Sequence, residues 1–365
     1  MELRGQLGDH LAALTARARA EAFCARFGLR VPILLAPMAG ACPPALSIAV
    51  AKAGGLGACG ALLMRPDAIA GWASAFRAEC NGAFQMNLWV PDPPPARDPR
   101  HEAAVRRFLA SFGPEVAEDA AETRLVDFEA QCDALLEAGP AIVSSIMGLY
   151  PPAFVARLKA RNVAWFANVT TVAEARAAEV AGADAIVAQG SEAGGHRGAF
   201  EADGAEAKAV GLFALLPAVV DAVAVPVIAT GGIADARGVA AALILGASAV
   251  QIGTGFLRCP EAGIAPAWAA GLAGLAPEDT RLTRAFSGRT GRAIATDYVR
   301  DAATGPAPTP YPIQRALTQA MRDSATKAGD LQRMQAWAGQ AAALASVTPA
   351  GELVARLWNE ALTLI

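Results

Sequence analysis

Three stretches of the chain hold residues whose types and spacing suit chemistry on a bound ligand. The first is QGSEAGGHRG at 189–198. Small residues (Ser191, Ala193, Gly194 and Gly195) surround one histidine and one arginine. Glycines in such a run let a flat ligand approach the backbone closely. Gln189 can hydrogen-bond a cofactor carbonyl or ring nitrogen. His196 titrates near neutral pH, so it can take a proton from a carbon acid or return one to an anion. A lone histidine orders a loop as readily as it reacts, and it is the glycine setting that favours a catalytic role. His10 and His101 lie in charged helical stretches and read as solvated surface residues. The second and third stretches are Gly231-Gly232 and Gly253-Thr254-Gly255. Backbone N–H groups in turns of this kind, with a threonine hydroxyl beside them, suit a phosphate. Either turn alone is weak, since glycines also make ordinary tight turns. Asn87 has an amide to offer a ligand but is as easily a strand-ending residue. Pro37-Met38-Ala39-Gly40 would lay a strip of backbone beside the same ligand, although Met38 by itself reads as core.

These residues need elements to bring them together. Short apolar runs occur at 31–36, 55–60, 83–88, 141–145, 163–168, 184–188, 225–230 and 248–252. Most are continuously apolar rather than alternating, as strands buried on both faces are. Alanine-rich amphipathic stretches separate them. Eight βα units in series predict a closed (β/α)8 TIM barrel, with an open doubly wound sheet as the alternative. In a barrel, the residues just past each strand face the active site, and the loops after the seventh and eighth strands commonly hold phosphate. The histidine loop and both glycine turns stand at such positions. Three segments depart from the repeat: an N-terminal helix at 5–27 packing outside the barrel, an insertion after strand 3 at 91–130 opening on PDPPPARDP, and a C-terminal stretch at 257–365. Proline excludes regular structure from the start of the insertion. The expected organisation is a barrel over 1–256, followed over 257–365 by a closing helix and a helical extension or cap.

Composition narrows the class. A barrel takes ~250 residues, so 365 leaves room for these additions. A net charge of -3 disfavours nucleic acid and anionic membranes as partners. Mean hydropathy is +0.33, but Pro217, Asp221 and Pro226 interrupt the most apolar stretch, 209–234, so no membrane span is expected. The start carries charges and no signal-type apolar segment. Cys24, Cys42, Cys59, Cys80, Cys132 and Cys259 are scattered without a C-x-x-C pair, which argues against zinc or a disulfide framework. No metal is expected, and the location expected is cytoplasmic. A homo-oligomer is compatible with this reading.

Several blocks carry a resemblance. APMAG at 36–40, AGGLGACG at 53–60, MNL at 86–88, TTVAEA at 170–175, AGADAIVAQGSEAGGHRG at 181–198 and GGIADARGVAAALILGASAVQIGTGF at 231–256 resemble the nitronate monooxygenase (2-nitropropane dioxygenase-like) family. AFSGR at 285–289 and WAGQ at 337–340 resemble its C-terminal part, so the likeness spans nearly the whole chain. The resemblance implies a metal-free TIM barrel that binds FMN non-covalently and oxidises alkyl nitronates, propionate 3-nitronate among them, with O₂. It places FMN contacts at Met38, Asn87, Gln189, Gly194, Gly232, Gln251, Ile252, Gly253 and Thr254; Gly195 and Gly231 join them from the glycine turns. It makes His196 the catalytic histidine, able to take the α-proton of a neutral nitroalkane. Products would be a carbonyl compound and nitrite or related nitrogen oxides.

Two departures bear on substrate rather than cofactor. The family's FHFGLP-type stretch is Ser145-Ile146-Met147-Gly148-Leu149-Tyr150-Pro151 here, with no imidazole. Ala41-Cys42-Pro43-Pro44 replaces a small polar run, and Cys42 reads as a structural thiol. The rival is an FMN-dependent enoyl-(acyl-carrier-protein) reductase using NAD(P)H, which resembles the chain in the AGGH and GGIAD blocks. APMAG and AFSGR weigh against it. A nucleotide dehydrogenase would want a cysteine within 189–198 or 251–256, and neither stretch has one. A non-catalytic binder would have no need of His196.

Overall fold

The computed structural model describes residues 15–365. His10 and the first part of the predicted N-terminal helix lie outside the described residues. Eight parallel strands run in chain order: β1 (Ile33–Leu35), β2 (Gly57–Gly60), β3 (Phe84–Trp89), β4 (Ile142–Ile146), β5 (Ala164–Val169), β6 (Ala185–Gln189), then β8 (Val227–Thr230) and β9 (Ala249–Ile252) after the two-residue β7 (Gly195–His196). Each pairs with its sequence neighbour. β1 pairs with β9 through Ile33↔Val250, and the bridge Leu34↔Leu56 closes the ring. The eight apolar runs therefore form a (β/α)8 TIM barrel. Their side chains are buried throughout most of their length because helices cover the outside and side chains fill the inside.

The described helix α1 (Ala16–Phe27) closes the N-terminal mouth of the barrel. Thr15 caps it by accepting from Ala18 N at 3.2 Å. Phe23 packs with Leu34, Leu56, Phe166 and Ile228, residues from several strands, and Phe27 meets Phe166 edge-on at 4.9 Å. The outer ring comprises α2 (Pro44–Lys52), α3 (Pro66–Glu79), α5 (Phe128–Ala138), α6 (Pro152–Ala160), α7 (Val172–Val180), α8 (Leu212–Val220) and α9 (Ala236–Ile244). The eighth position is filled by the last helix, α14 (Ala350–Leu362). Leu353, Val354, Leu357 and Ala361 sit on one face of it and join the main core, between α9 and α2.

Two departures from the βα repeat pack on one another. The insertion contributes α4 (Pro99–Leu109), whose Val105 and Leu109 join Val116 and Ala121 in a second, smaller core. The other part of that core is Ala285, Phe286, Ala293, Tyr298, Val299, Ile313, Leu317 and Met321, from the C-terminal stretch. That stretch holds α10 (Pro266–Gly271), α11 (Asp297–Ala302), α12 (Ile313–Leu317) and α13 (Gln319–Ala328). Beside these helices it carries a short hairpin. β10 (Thr280–Thr283) and β11 (Gly291–Ile294) form an antiparallel hairpin, and β11 pairs in turn with β7. Runs of four residues with polar members are too short to show a period of two.

Candidate active site

The C-terminal ends of the strands surround a cavity of about 340 Å³, within the range of small-molecule sites. Met38, Asn87, Gln189, Gly194, Gly195, His196, Gly231, Gly232, Gln251, Gly253 and Thr254 all line it. Ile252 does not; its side chain is turned into the main core, 1% exposed. The three stretches that stood apart in sequence thus face one space. The Gly231 turn also touches the histidine loop directly: a Cβ on Gly231 would meet Ala193 N at 3.1 Å. Gly231 and Gly232 have φ of 109° and 70°, which only glycine adopts easily. Among the described residues, no acceptor faces the backbone N–H groups of Gly232 and Ile233, so both are available to an anion.

The histidine loop is held from below and from above. Below, Gln189 Nε2 donates to His196 O at 3.0 Å and Gln189 Oε1 accepts from Gly198 N at 2.7 Å. The amide expected to reach a cofactor is thus engaged at both ends in shaping the loop. Glu174, from TTVAEA, completes a capping box with Thr171 and accepts from Phe200 N at 2.9 Å. Above, β11 pairs Gly291 with His196, and Arg292 Nε donates to Ser191 O at 2.7 Å. WAGQ straps the glycines. Gly339 N donates to Thr254 Oγ1 at 3.0 Å, and a Cβ on Gly194 would meet Gly339 N at 2.4 Å.

His196 stands between two indoles. Trp89 lies edge-on at 4.6 Å and 78°, and Trp337 at 4.8 Å and 60°. Its Nε2 is 2.7 Å from Ser287 Oγ, the serine of AFSGR. Desolvation, and then the charges of Arg289, Arg315 and Arg322, push its pKa down to about 3. The imidazole is therefore neutral at pH 7, the form in which it can accept a proton. Ser287 rides on a turn fixed by Arg289, which pairs through two nitrogens with Asp92, the residue shortly after β3, and donates to Ala199 O at 2.9 Å.

Two guanidiniums line the cavity from the cap, and no Asp, Glu or Lys among the described residues lines it. Arg322 is held by Thr318 Oγ1, Gln335 Oε1, Gln319 Oε1 and Arg315 O. Its pKa is lowered to about 10 by burial and then by Arg315. Arg315 has no side-chain partner among the described residues. Two like charges share a half-dry space without a carboxylate, and an anion between them would relieve both. Asn168 also lines the cavity, and its Nδ2 is buried with no hydrogen-bond partner among the described residues.

Sequence reasoning did not single out Ser287, Arg315, Arg322, Asn168, Trp89 or Trp337. AFSGR and WAGQ were signals for Ser287 and Trp337; the others lie in stretches with no local peculiarity. At the departure after β4, only Ile146 of the 145–151 run borders the cavity. Tyr150 turns away and donates to Ser144 O at 2.8 Å. Cys42 is structural: its Sγ accepts from Met38 N at 2.9 Å and donates to Ala36 O at 3.2 Å, bracing the APMAG turn, and burial pushes its thiol up to about 12.

A barrel whose strand ends gather paired glycine turns, a neutral imidazole and two guanidiniums over one cavity is an enzyme of the TIM-barrel oxidoreductase class. The chain belongs to the nitronate monooxygenase family, which it matches over residues 22–360. It is 39% identical over 345 residues to a nitronate monooxygenase of Paraburkholderia phytofirmans, covering 91% of this chain and 93% of that one. Among solved structures it is similar to nitroalkane oxidase from Streptomyces ansochromogenes, with a TM-score of 0.83, 35% identity and coverage of 92% and 96%. FabK from Thermotoga maritima is less similar, with a TM-score of 0.73 and 28% identity over 93% of this chain and 96% of that one. Among the described residues, no group of acidic, histidine and cysteine side chains is arranged to hold a metal.

Proposed function

We propose that the cavity binds FMN and that the enzyme oxidises alkyl nitronates with O₂ to a carbonyl compound and nitrite or related nitrogen oxides. Propionate 3-nitronate and neutral nitroalkanes are within its proposed range. The observation that carries this reading is the convergence of the Gly231-Gly232 turn, the Gly253-Thr254-Gly255 turn and His196 on one cavity that no carboxylate among the described residues lines. The residues fit FMN. Free N–H groups at Gly232 and Ile233 suit its phosphate. The amides of Asn87 and Gln251, and backbone at Met38, Gly194, Gly195, Gly253 and Thr254, border the space for a flat ring. What the flavin supplies when bound is acceptance of electrons from the nitronate and their passage to O₂.

The protein's own residues do the rest. Arg315 and Arg322 draw in an anion, which a nitronate is, and Arg315 is the free one of the two. A carboxylate elsewhere on the substrate suits it best. Trp89, Trp337 and Ile146 exclude water from one side. His196 is already required as a base when the substrate is a neutral nitroalkane; a nitronate needs no deprotonation. We assign residues 1–256 to the cofactor-binding barrel and 257–365 to the cap and closing helix. A cytoplasmic location accords with six buried, unpaired cysteines.

The test uses purified enzyme. It should be yellow and release FMN, and a colourless protein that FMN cannot reconstitute refutes the reading. His196→Asn should slow neutral nitroalkane turnover by roughly 10²–10⁴-fold, the usual worth of a general base, and nitronate turnover far less. Anaerobic bleaching by a nitronate but not by NADH supports the monooxygenase; rapid bleaching by NADH would favour the enoyl reductase alternative.

A further inference from the structure

We infer that Ser287 is a positioning residue that fixes His196 as its Nε2–H tautomer, leaving Nδ1 as the atom that receives the substrate's proton. The inference rests on the reading of His196 as the base and names the atom involved. Ser287 Oγ has three neighbours: His196 Nε2 at 2.7 Å, Arg289 O at 3.2 Å and Arg289 N at 3.3 Å. A hydroxyl has one hydrogen and two acceptor positions. The backbone N–H of Arg289 can only donate to it, and the backbone carbonyl of Arg289 can only accept from it. The one hydroxyl hydrogen therefore goes to Arg289 O, and the remaining lone pair faces Nε2, which must carry hydrogen.

The opposite arrangement, with the hydroxyl donating to Nε2, would leave Arg289 O without a partner among the described residues. Ser287 and Arg289 are 1% and 2% exposed, so the orphaned carbonyl makes that arrangement unfavourable. Among the described residues Nδ1 is the ring nitrogen with no hydrogen-bond partner, and His196 borders the cavity. Trp89 and Trp337 hold the ring against rotation that would exchange the two nitrogens for carbons. Asp92 and Ala199 O hold Arg289, and Arg289's backbone holds Ser287. The proton step is then balanced. The α-carbon C–H bond of a nitroalkane breaks, its electron pair moves into the nitro group to give the nitronate, and a new N–H bond forms at Nδ1. The imidazolium keeps its Nε2–H bond to Ser287 throughout.

The test is nitrogen NMR of the purified holoenzyme labelled with ¹⁵N-histidine, at neutral pH. His10→Gln and His101→Gln variants identify the His196 signals. The expected spectrum has a pyrrole-type signal at Nε2 and a pyridine-type signal at Nδ1. In Ser287→Ala the two tautomers should interconvert, and kcat/KM should fall about ten-fold for a neutral nitroalkane with little change for its nitronate. Ser287→Thr should restore both the spectrum and the rate. A pyrrole-type Nδ1 in the wild type overturns the inference whatever His196 does, and it does so even where Ser287→Ala fails to fold. A Nε2–H wild type whose His196→Asn variant slows both substrates equally supports the tautomer and overturns the base reading beneath it.

Discussion

Replacing Asp92 by alanine should loosen the cap from the barrel, and the structure sets the size of the effect. Asp92 follows β3 at the root of the insertion and pairs in two-pronged fashion with Arg289. The Arg289 side chain is 2% exposed and that of Asp92 29%. Removing one member of a buried pair strands the other charge and costs about 3–5 kcal/mol. Water reaches the Asp92 side, so the lower end applies, about 3 kcal/mol. Arg289 keeps its bond to Ala199 O, which does not neutralise it. For a chain of 365 residues, whose unfolding entropy is correspondingly large, that corresponds to a fall in Tm of about 4 °C. The assay is thermal and urea denaturation of Asp92→Ala, Arg289→Met and the double variant. The double variant should recover part of the loss, because with both charges gone nothing is stranded. Full recovery is not expected, since Arg289→Met also removes a donor from Ala199 O. If Asp92→Ala stays within roughly 0.5 kcal/mol of the parent, the scatter of an ordinary surface change, the pair does not moor the cap.

Two further outcomes follow from the same cavity. Arg315→Ala should raise KM roughly 10–100-fold for a nitronate that also carries a carboxylate, the worth of a hydrogen bond to a charged group. It should change KM little for a plain alkyl nitronate; steady-state kinetics on the pair of substrates decide it, and equal effects would remove Arg315 from substrate binding. Acid should destabilise the fold through His196. Its folded pKa, about 3, lies below the unfolded value near 6.5. The unfolded chain therefore binds the extra proton first, and stability is lost as pH falls from about 6.5 towards 3. A His196→Asn variant followed by urea denaturation across that window should show a shallower loss than the parent; identical slopes would refute the assignment.

The barrel was legible because a strand covered on both faces cannot hide its composition. All eight apolar runs became strands with boundaries shifted by a residue or two. The glycine turns were legible as well, since Gly231 and Gly232 need positive φ and few residues tolerate it. The cap was not. β10 and β11 are four residues each, and only pairing with the histidine loop gives them a reason to be strands. Arg315 sits in a short helix of ordinary composition, and nothing local says that it borders a cavity shared with residues as distant in sequence as Met38 and His196. Gln189 was read for its place at the cavity, but not for its bonds to His196 O and Gly198 N, because a side-chain amide that shapes a loop has no mark in the sequence.

The position of α14 has a consequence for how such an enzyme can change. The polypeptide leaves the barrel after β9, builds the roof, and returns to complete the ring with its final helix. Everything between those two points is a detour with both ends fastened to neighbouring parts of one scaffold. The detour brings the free guanidinium of Arg315 and the indole of Trp337, whereas the turns suited to phosphate belong to the scaffold. Selection for a new substrate can thus rewrite the detour while the glycine turns of the scaffold are inherited intact.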